Sequence, residues 1–147
     1  WTGLVIIPTT LLILDKKALK MVDYPLLLTF CAFFVFSGNM ARIDAVQNVF
    51  QYLLDKSTLL FSIISCQFIS NVPSAILLSQ FTTDYKDLLL GVNIGGVGTL
   101  IASLASLITL REYSKNNPGK TKKYILMFTA FNFVFLAVLT GFQYIFN

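Results

Sequence analysis

The chain has 147 residues, of which 56% are hydrophobic and 12% charged, and its formal net charge is +4. A soluble domain carries about a quarter charged residues, so this composition, with a mean hydropathy of +0.74, argues against a soluble protein. The chain has no histidine and no closely spaced cysteine pair, which argues against a zinc site. In a membrane protein a positive balance marks the cytoplasmic loops and not a nucleic-acid surface.

Long apolar runs dominate the chain. Neither residues 88–110 nor residues 124–147 contain a charged side chain, and runs of that length span the hydrocarbon core of a bilayer. The backbone must satisfy its own hydrogen bonds in lipid, and a strict alternation of polar and apolar residues is absent, so helices are expected. The fold class predicted is an all-α polytopic membrane protein.

The predicted segments follow from where these runs begin and end. They are, in chain order, the end of a transmembrane helix at 1–14, a transmembrane helix at 22–40, an interfacial helix at 44–55, a re-entrant hairpin at 57–83, a broken transmembrane helix at 87–110, a cytoplasmic loop at 111–123 and a transmembrane helix at 124–146. The first run is too short to span, so we expect the chain to be the C-terminal part of a longer permease.

The basic residues favour a hairpin at 57–83 over a full span. With a hairpin, loops 15–23 and 111–123 share one side and hold eight Lys and Arg residues against three on the other side. With a full span the split becomes seven against four. Because cytoplasmic loops carry the excess of positive charge, we expect a re-entrant hairpin and a multi-pass topology in the plasma membrane.

The first candidate site is the sequence Ser70-Asn71-Val72-Pro73-Ser74 within the hairpin. Pro73 has no N–H and interrupts a helix. Polar backbone groups freed at membrane depth are costly unless they contact protein or line a cavity. Ser70, Asn71 and Ser74 are therefore candidate ligand-binding residues, and the alternative is a proline kink satisfied by neighbouring side chains.

The second candidate site is the sequence Asn93-Ile94-Gly95-Gly96-Val97-Gly98-Thr99. Its glycines weaken a helix and permit an unwound backbone. Asn93, Gly95, Gly96, Gly98 and Thr99 are candidate binding residues. The alternative is a face of small residues that packs against another helix.

Two interruptions in consecutive membrane segments favour a transporter site over two unrelated kinks. Helix N-termini after each break suit an anion, and freed carbonyls suit a cation, so we place Na⁺ at Ser70, Asn71 and Gly96. No other cofactor is expected. No charged residue lies deep inside an apolar run, which argues against an enzyme and against a proton relay within these residues.

Residues 70–78 and 91–106 resemble the ion transporter superfamily, which includes divalent-anion:sodium symporters, citrate transporter-like permeases and arsenite permeases. The resemblance implies two inverted repeats, each with a re-entrant hairpin and a broken helix. Ser70 and Asn71 match the Ser-Asn-Thr motif that binds Na⁺ and a substrate carboxylate in the symporters, and Val72 replaces the threonine. Asn71-Val72-Pro73 and residues 102–105 are similar to segments of the arsenite permeases. The glycine stretch lacks the prolines common in the family.

We therefore predict a secondary transporter that carries a di- or tricarboxylate such as citrate, coupled to Na⁺ or H⁺, by alternating access. The expected partners are the anionic substrate, the lipid bilayer and an N-terminal repeat of the same chain, and not nucleic acid. A homodimer stays open. The alternatives are an arsenite permease, a Na⁺/H⁺ antiporter and a non-transporting structural subunit of a membrane complex.

Overall fold

The computed structural model of the protein describes residues 2–14, 17, 20 and 23–146. Its described elements are helical, and none of these residues lies in a β-strand. The helices are α1 (Thr2–Leu14), α2 (Tyr24–Met40), α3 (Asp44–Lys56), α4 (Thr58–Ile69), α5 (Asn71–Leu78), α6 (Tyr85–Gly95), a 3-10 turn (Leu100–Ala102), α7 (Leu104–Asn116) and α8 (Thr121–Phe146). The all-α prediction is therefore confirmed for the described part of the chain.

The chain divides into two units, Trp1–Ala32 and Phe33–Asn147. The first unit holds α1 and the beginning of α2. Side chains such as Ile6 and Ile13 are exposed on α1, and Thr9 donates to the carbonyl of Val5 within the same helix. Most of the predicted loop 15–23 lies outside the described residues, as does residue 22, the predicted start of the second membrane segment.

The second unit is built around the close packing of α4 against α6. The sequence Gly91-Val92-Asn93-Ile94-Gly95 places two glycines one turn apart on the same face of α6. A Cβ at Gly91 would lie 2.7 Å from the Cβ of Ser62, and a Cβ at Gly95 would lie 2.9 Å from the Cβ of Cys66. Only glycine permits this approach, so these two residues set how closely the hairpin and the broken helix pack.

An apolar cluster extends this packing toward α3. It contains Leu54, Cys66, Leu77, Leu78, Phe81, Leu88 and Val92. The ring of Phe50 on α3 stacks on Phe81 with a centroid distance of 4.9 Å and packs edge-on against Phe61 at 5.8 Å. The apolar side of α3 thus packs on the hairpin. The chain bends by 96° between α2 and α3.

Few of the helices are long enough to span a membrane alone. By length and composition one described helix, α8, can cross a bilayer, and the bent pair of α2 and α3 adds a second if it is counted as one span. The predicted segments 57–83 and 87–110 are each divided into shorter helices, α4 with α5 and α6 with α7. Whether these cross or re-enter the membrane stays a prediction.

The connection before the last helix is shorter than the loop 111–123 predicted from the charges. Helix α7 runs to Asn116 and α8 begins at Thr121, so only residues 117–120 connect them. Arg, Glu and Lys have high helix propensity, and nothing interrupts the helix before Asn117-Pro118-Gly119. Residues 111–116 and 121–123 of the predicted cytoplasmic loop are thus helical, because charge alone does not end a helix, and their position outside the membrane stays a prediction.

A stripe of half-buried residues distinguishes one side of α8. Thr129, Asn132, Thr140 and Gln143 are half-buried, whereas apolar side chains on other sides, such as Leu126 and Ile145, are at least 73% exposed. The side chain of Asn132 donates to the carbonyl of Phe128 on the same helix. The polar stripe therefore lies on the less exposed side of α8, and the apolar sides are left for lipid or further protein.

Candidate functional site

The first interruption, here called the hairpin break, is the single residue Ser70 between α4 and α5. Its backbone has φ 80° and ψ 154°, and it is the one non-glycine residue with positive φ among those described. The Ser70 amide donates to the Cys66 carbonyl and ends α4, while its carbonyl accepts from the Ser74 amide and begins α5. A serine in this conformation costs about 1–3 kcal/mol, and such strain is concentrated at functional sites.

The start of α5 is stabilised locally. Pro73 needs no hydrogen-bond acceptor in the first turn, and the Val72 amide donates to Oδ1 of Asn71 at 2.9 Å. Because Oδ1 of Asn71 is used in this way, its amide group presents Nδ2, which is a donor, to its surroundings.

The second interruption, here called the glycine break, covers residues 96–103 between α6 and α7. Gly96 and Val97 close the end of α6 by donating to the carbonyls of Val92 and Ile94. Gly98 then takes φ 128°, a conformation open to glycine and strained for other residues. A 3-10 turn and the extended residue Ser103 lead into α7.

The side chain of Gln67 joins the two breaks. From α4, its Nε2 lies 2.8 Å from the carbonyl oxygen of Gly95, 3.2 Å from that of Val97 and 3.1 Å from that of Ile63 on its own helix, and its two N–H groups are shared among them. Its Oε1 accepts from the Thr99 amide at 2.9 Å. One amide side chain therefore satisfies three backbone groups that the glycine break frees.

Thr99 completes this connection. Its Oγ1 donates to the backbone carbonyl of Gln67 at 3.0 Å. The position a Cβ would take at Gly98 lies 2.2 Å from Oε1 of Gln67, so a glycine is also required there by space. Gln67 and Thr99 thus hold the glycine break against the end of α4.

The two breaks also touch directly. A Cβ at Gly96 would lie 2.9 Å from Nδ2 of Asn71, and the Ser70 hydroxyl donates to the Ala102 carbonyl at 3.4 Å. Ser70, Asn71, Gly96, Gly98 and Thr99 are therefore brought together. Unwound backbone from two segments meets at one place, with Asn71 at the contact.

The other three predicted site residues lie outside the contact between Asn71 and Gly96. Ser74 is fully buried and pairs with Ser65 at 3.0 Å between the hydroxyl oxygens, inside the hairpin. Gly95 is buried against α4. Asn93 is exposed, and its Nδ2 donates to the Leu89 carbonyl at 2.7 Å on its own helix.

One predicted sodium ligand, the Ser70 carbonyl, is already engaged by a protein donor, and so are the two carbonyls next to the predicted ligand Gly96. The Ser70 carbonyl accepts from Ser74 at the start of α5, and the carbonyls of Gly95 and Val97 on either side of Gly96 accept from Gln67. A carbonyl oxygen has two lone pairs, so a second contact to a cation is compatible with these bonds. No group of three or more His, Cys, Asp or Glu residues that could hold a metal ion occurs in the described chain.

Gln67 is the residue that sequence reasoning missed. It is the one amide in the apolar run 57–69 and comes three residues before the hairpin break. A polar side chain in such a run needs a partner, and that requirement was the available signal. Its partners could not be identified because they lie 28 to 32 residues further along the chain.

Comparison with curated proteins finds two longer relatives. The chain is 39% identical over 142 residues to a protein of Methanocaldococcus jannaschii named uncharacterized transporter, matching 96% of this chain and 39% of that protein. It is 38% identical over 112 residues to the inner membrane protein YbiR of Escherichia coli, matching 74% of this chain and 30% of that protein. The chain thus spans less than half the length of these relatives. No protein-family model and no solved structure matches it.

Proposed function

We propose that this chain forms half of the substrate site of a secondary membrane transporter that carries an anion, a di- or tricarboxylate such as citrate. The observation that supports this most is the meeting of the hairpin break and the glycine break at Asn71 and Gly96. Paired interrupted helices are the feature from which transporters build their binding sites. The names of the two relatives, a transporter and an inner membrane protein, support membrane transport in general.

The proposed chemistry follows from the groups at the junction. The acceptors freed by the glycine break are largely used by Gln67, whereas Asn71 presents a donor. The N-termini of α5 and α7 follow the two breaks, and helix N-termini favour negative charge. We therefore assign substrate carboxylate binding to Asn71 and the adjacent backbone, and a contact of Asn93, which lies outside the junction, stays a prediction from the sequence.

The coupling ion is proposed to be Na⁺, with H⁺ as the alternative. Its ligands in this chain are the carbonyls of Ser70, Asn71 and Gly96, and the remaining ligands come from other parts of the full-length protein. This chain matches 39% and 30% of the lengths of its two relatives, which supports a site shared with other parts of the protein. In the proposed alternating access, the hairpin and the broken helix move as one unit. The bonds from Gln67, which belongs to the hairpin, to the glycine break favour this joint movement.

Uptake by the full-length protein tests the proposal. Cells or proteoliposomes carrying the protein are given citrate, succinate, sulfate or arsenite, each with and without Na⁺. We expect Na⁺-dependent uptake of at least one carboxylate. Uptake of arsenite alone would instead support an arsenite permease, and Na⁺ movement against H⁺ with no anion uptake would support an antiporter.

Two variants separate a transporter from a non-transporting structural subunit. Asn71→Ala removes the donor at the junction, and Gly96→Leu places a side chain where Asn71 lies. We expect each to lower uptake roughly tenfold or more, since one hydrogen bond to a charged group is worth about 1.5–3 kcal/mol. Unchanged uptake in both variants would contradict the site, and wild-type protein without any anion uptake would contradict the function.

A further inference from the structure

A basic and aromatic cleft lies at the start of α8, outside the junction of the two breaks. It has a volume of about 530 Å³ and is here called the lysine cleft. Its lining includes Lys120, Lys123, Tyr113, Tyr124, Phe128 and Phe131. Lys120 is the last residue of the connection 117–120, and Lys123 lies in the first turn of α8. The apolar rings follow further along α8. The cleft is therefore cationic at one end and apolar along its length.

The shape of the lysine cleft is set by contacts between α7 and α8. Tyr113 and Tyr124 stack with a centroid distance of 4.5 Å, and Tyr124 stacks on Phe128 at 5.9 Å. The hydroxyl of Thr121 donates to that of Ser114 at 3.1 Å. These contacts place rigid aromatic walls beneath the lysines.

The turn before α8 holds the lysines at the mouth of this cleft. Gly119 takes φ 85°, the Lys120 amide donates to the Asn117 carbonyl, and the Lys120 carbonyl accepts from the Tyr124 amide. Both Lys120 and Lys123 are exposed, and neither forms an ion pair within the described residues. The first turn of α8 contains no acidic residue. A negative charge at this point therefore meets two ammonium groups, and none of the described residues that line the cleft carries a carboxylate.

We propose that the lysine cleft binds one anionic phospholipid. The phosphate lies between Lys120 and Lys123, and an acyl chain lies along Phe128 and Phe131. Helix α8 is the described helix most suited to cross a bilayer, so its basic end falls at the level of lipid headgroups. Basic clefts between membrane helices on the cytoplasmic side bind such headgroups. The proposal depends on the membrane setting of the chain and not on the transported substrate.

Lipid binding to the full-length protein in detergent micelles tests this, with native mass spectrometry as the readout. We expect dioleoylphosphatidylglycerol to bind at least tenfold more tightly than dioleoylphosphatidylcholine. Lys120→Gln with Lys123→Gln lowers the phosphatidylglycerol affinity roughly 10- to 30-fold, because each basic residue near anionic lipid contributes by attraction to the headgroup. The affinity for phosphatidylcholine stays within about twofold.

A matched double variant controls for charge alone. Arg111→Gln with Lys115→Gln removes two exposed positive charges from α7 that do not line the cleft. We expect this variant to keep its phosphatidylglycerol affinity within about twofold, since neither side chain lines the cleft and exposed charges away from a bound headgroup are partly screened. An equal loss in both double variants would overturn the proposal in favour of a diffuse electrostatic attraction.

Two further arms identify the ligand. Phe131→Ala removes one apolar wall and is expected to weaken both phospholipids, whereas inorganic phosphate is expected not to displace phosphatidylglycerol. Displacement by phosphate at a similar affinity would overturn the lipid proposal and indicate a site for a soluble phosphate. Equal binding of the two phospholipids by the wild-type protein would also overturn it. Uptake is measured on the same variants, so failure of the lipid site and failure of the transport function are distinguished.

Discussion

The two breaks satisfy their backbone by different means. At the hairpin break one residue, Ser70, ends α4 and begins α5 with bonds to its own segment. At the glycine break a longer unwound stretch uses Gln67, a side chain from α4, for three of its backbone groups. The backbone of the hairpin break is therefore strained but bonded within its own segment, whereas the backbone of the glycine break depends on a distant side chain. Substitutions should affect them differently.

Gln67→Leu should have the largest effect because it removes the three bonds that the glycine break makes with the Gln67 side chain. Each backbone group left unsatisfied costs about 1–3 kcal/mol, so we expect a loss of about 3–5 kcal/mol in the free energy of unfolding and loss of uptake. Thermal unfolding of the purified protein measures the first and uptake the second. Gln80→Leu, at an exposed glutamine outside the junction, is the control. Equal stability of the two variants would show that Gln67 does not hold the glycine break.

Gly98→Ala should be next, at about 2–4 kcal/mol, because it combines backbone strain with a clash. Its Cβ would lie 2.2 Å from Oε1 of Gln67, so the side chain must give up its bond to the Thr99 amide. Gly119→Ala is the matched control: it also has positive φ, but a Cβ there meets nothing within 4 Å. We expect about 1 kcal/mol from its strain alone. Similar midpoint temperatures for the two variants would contradict the contact at Gly98.

Ser74→Ala should cost about 1–2 kcal/mol, since it leaves the buried hydroxyl of Ser65 without its partner. Because Ser74 points into the hairpin and not to the junction, uptake per folded molecule should stay within about twofold of wild type. The variant thereby compares Ser74, a predicted site residue in the interior of the hairpin, with Asn71 at the junction. A tenfold loss of uptake with normal stability would restore Ser74 to the site.

Ser70→Gly should give the smallest change in the free energy of unfolding, and this change should be an increase. Glycine relieves the strain of φ 80°, for a gain of up to about 1 kcal/mol, while the loss of the hydroxyl and of local rigidity lowers uptake. Ser79→Gly, at a residue with φ −62°, has no strain to relieve and should lose stability. A loss of stability in Ser70→Gly would contradict the strained conformation at the hairpin break.

The positions of both breaks could be read from the sequence because proline and glycine act locally. Pro73 and the three glycines after Asn93 each lie within a few residues of the point at which a helix ends in the structure. These features depend on residues that are neighbours along the chain or one turn apart.

What could not be predicted depends on distant contacts. Nothing in the local sequence shows that Gly91 and Gly95 pack against α4, or that Gln67 reaches Thr99. The exposed orientation of Asn93 and the burial of Ser74 likewise depend on how α4, α5 and α6 pack. The extent of α7 was missed because basic residues were taken as loop residues, although they are compatible with a helix.

Disulfide formation across the two breaks tests the central claim, their contact at Asn71 and Gly96, most directly. Cγ of Asn71, whose place a cysteine sulfur takes, lies 3.5 Å from a Cβ at Gly96, which is within reach of a disulfide. The pair Asn71→Cys with Gly96→Cys, in a protein with Cys31→Ser and Cys66→Ala, should oxidise readily. The control Asn71→Cys with Gly119→Cys should not, since α7, about 20 Å long, separates Gly119 from the glycine break. Failure of the first pair, or equal oxidation of both, would contradict the contact and with it the proposed binding site.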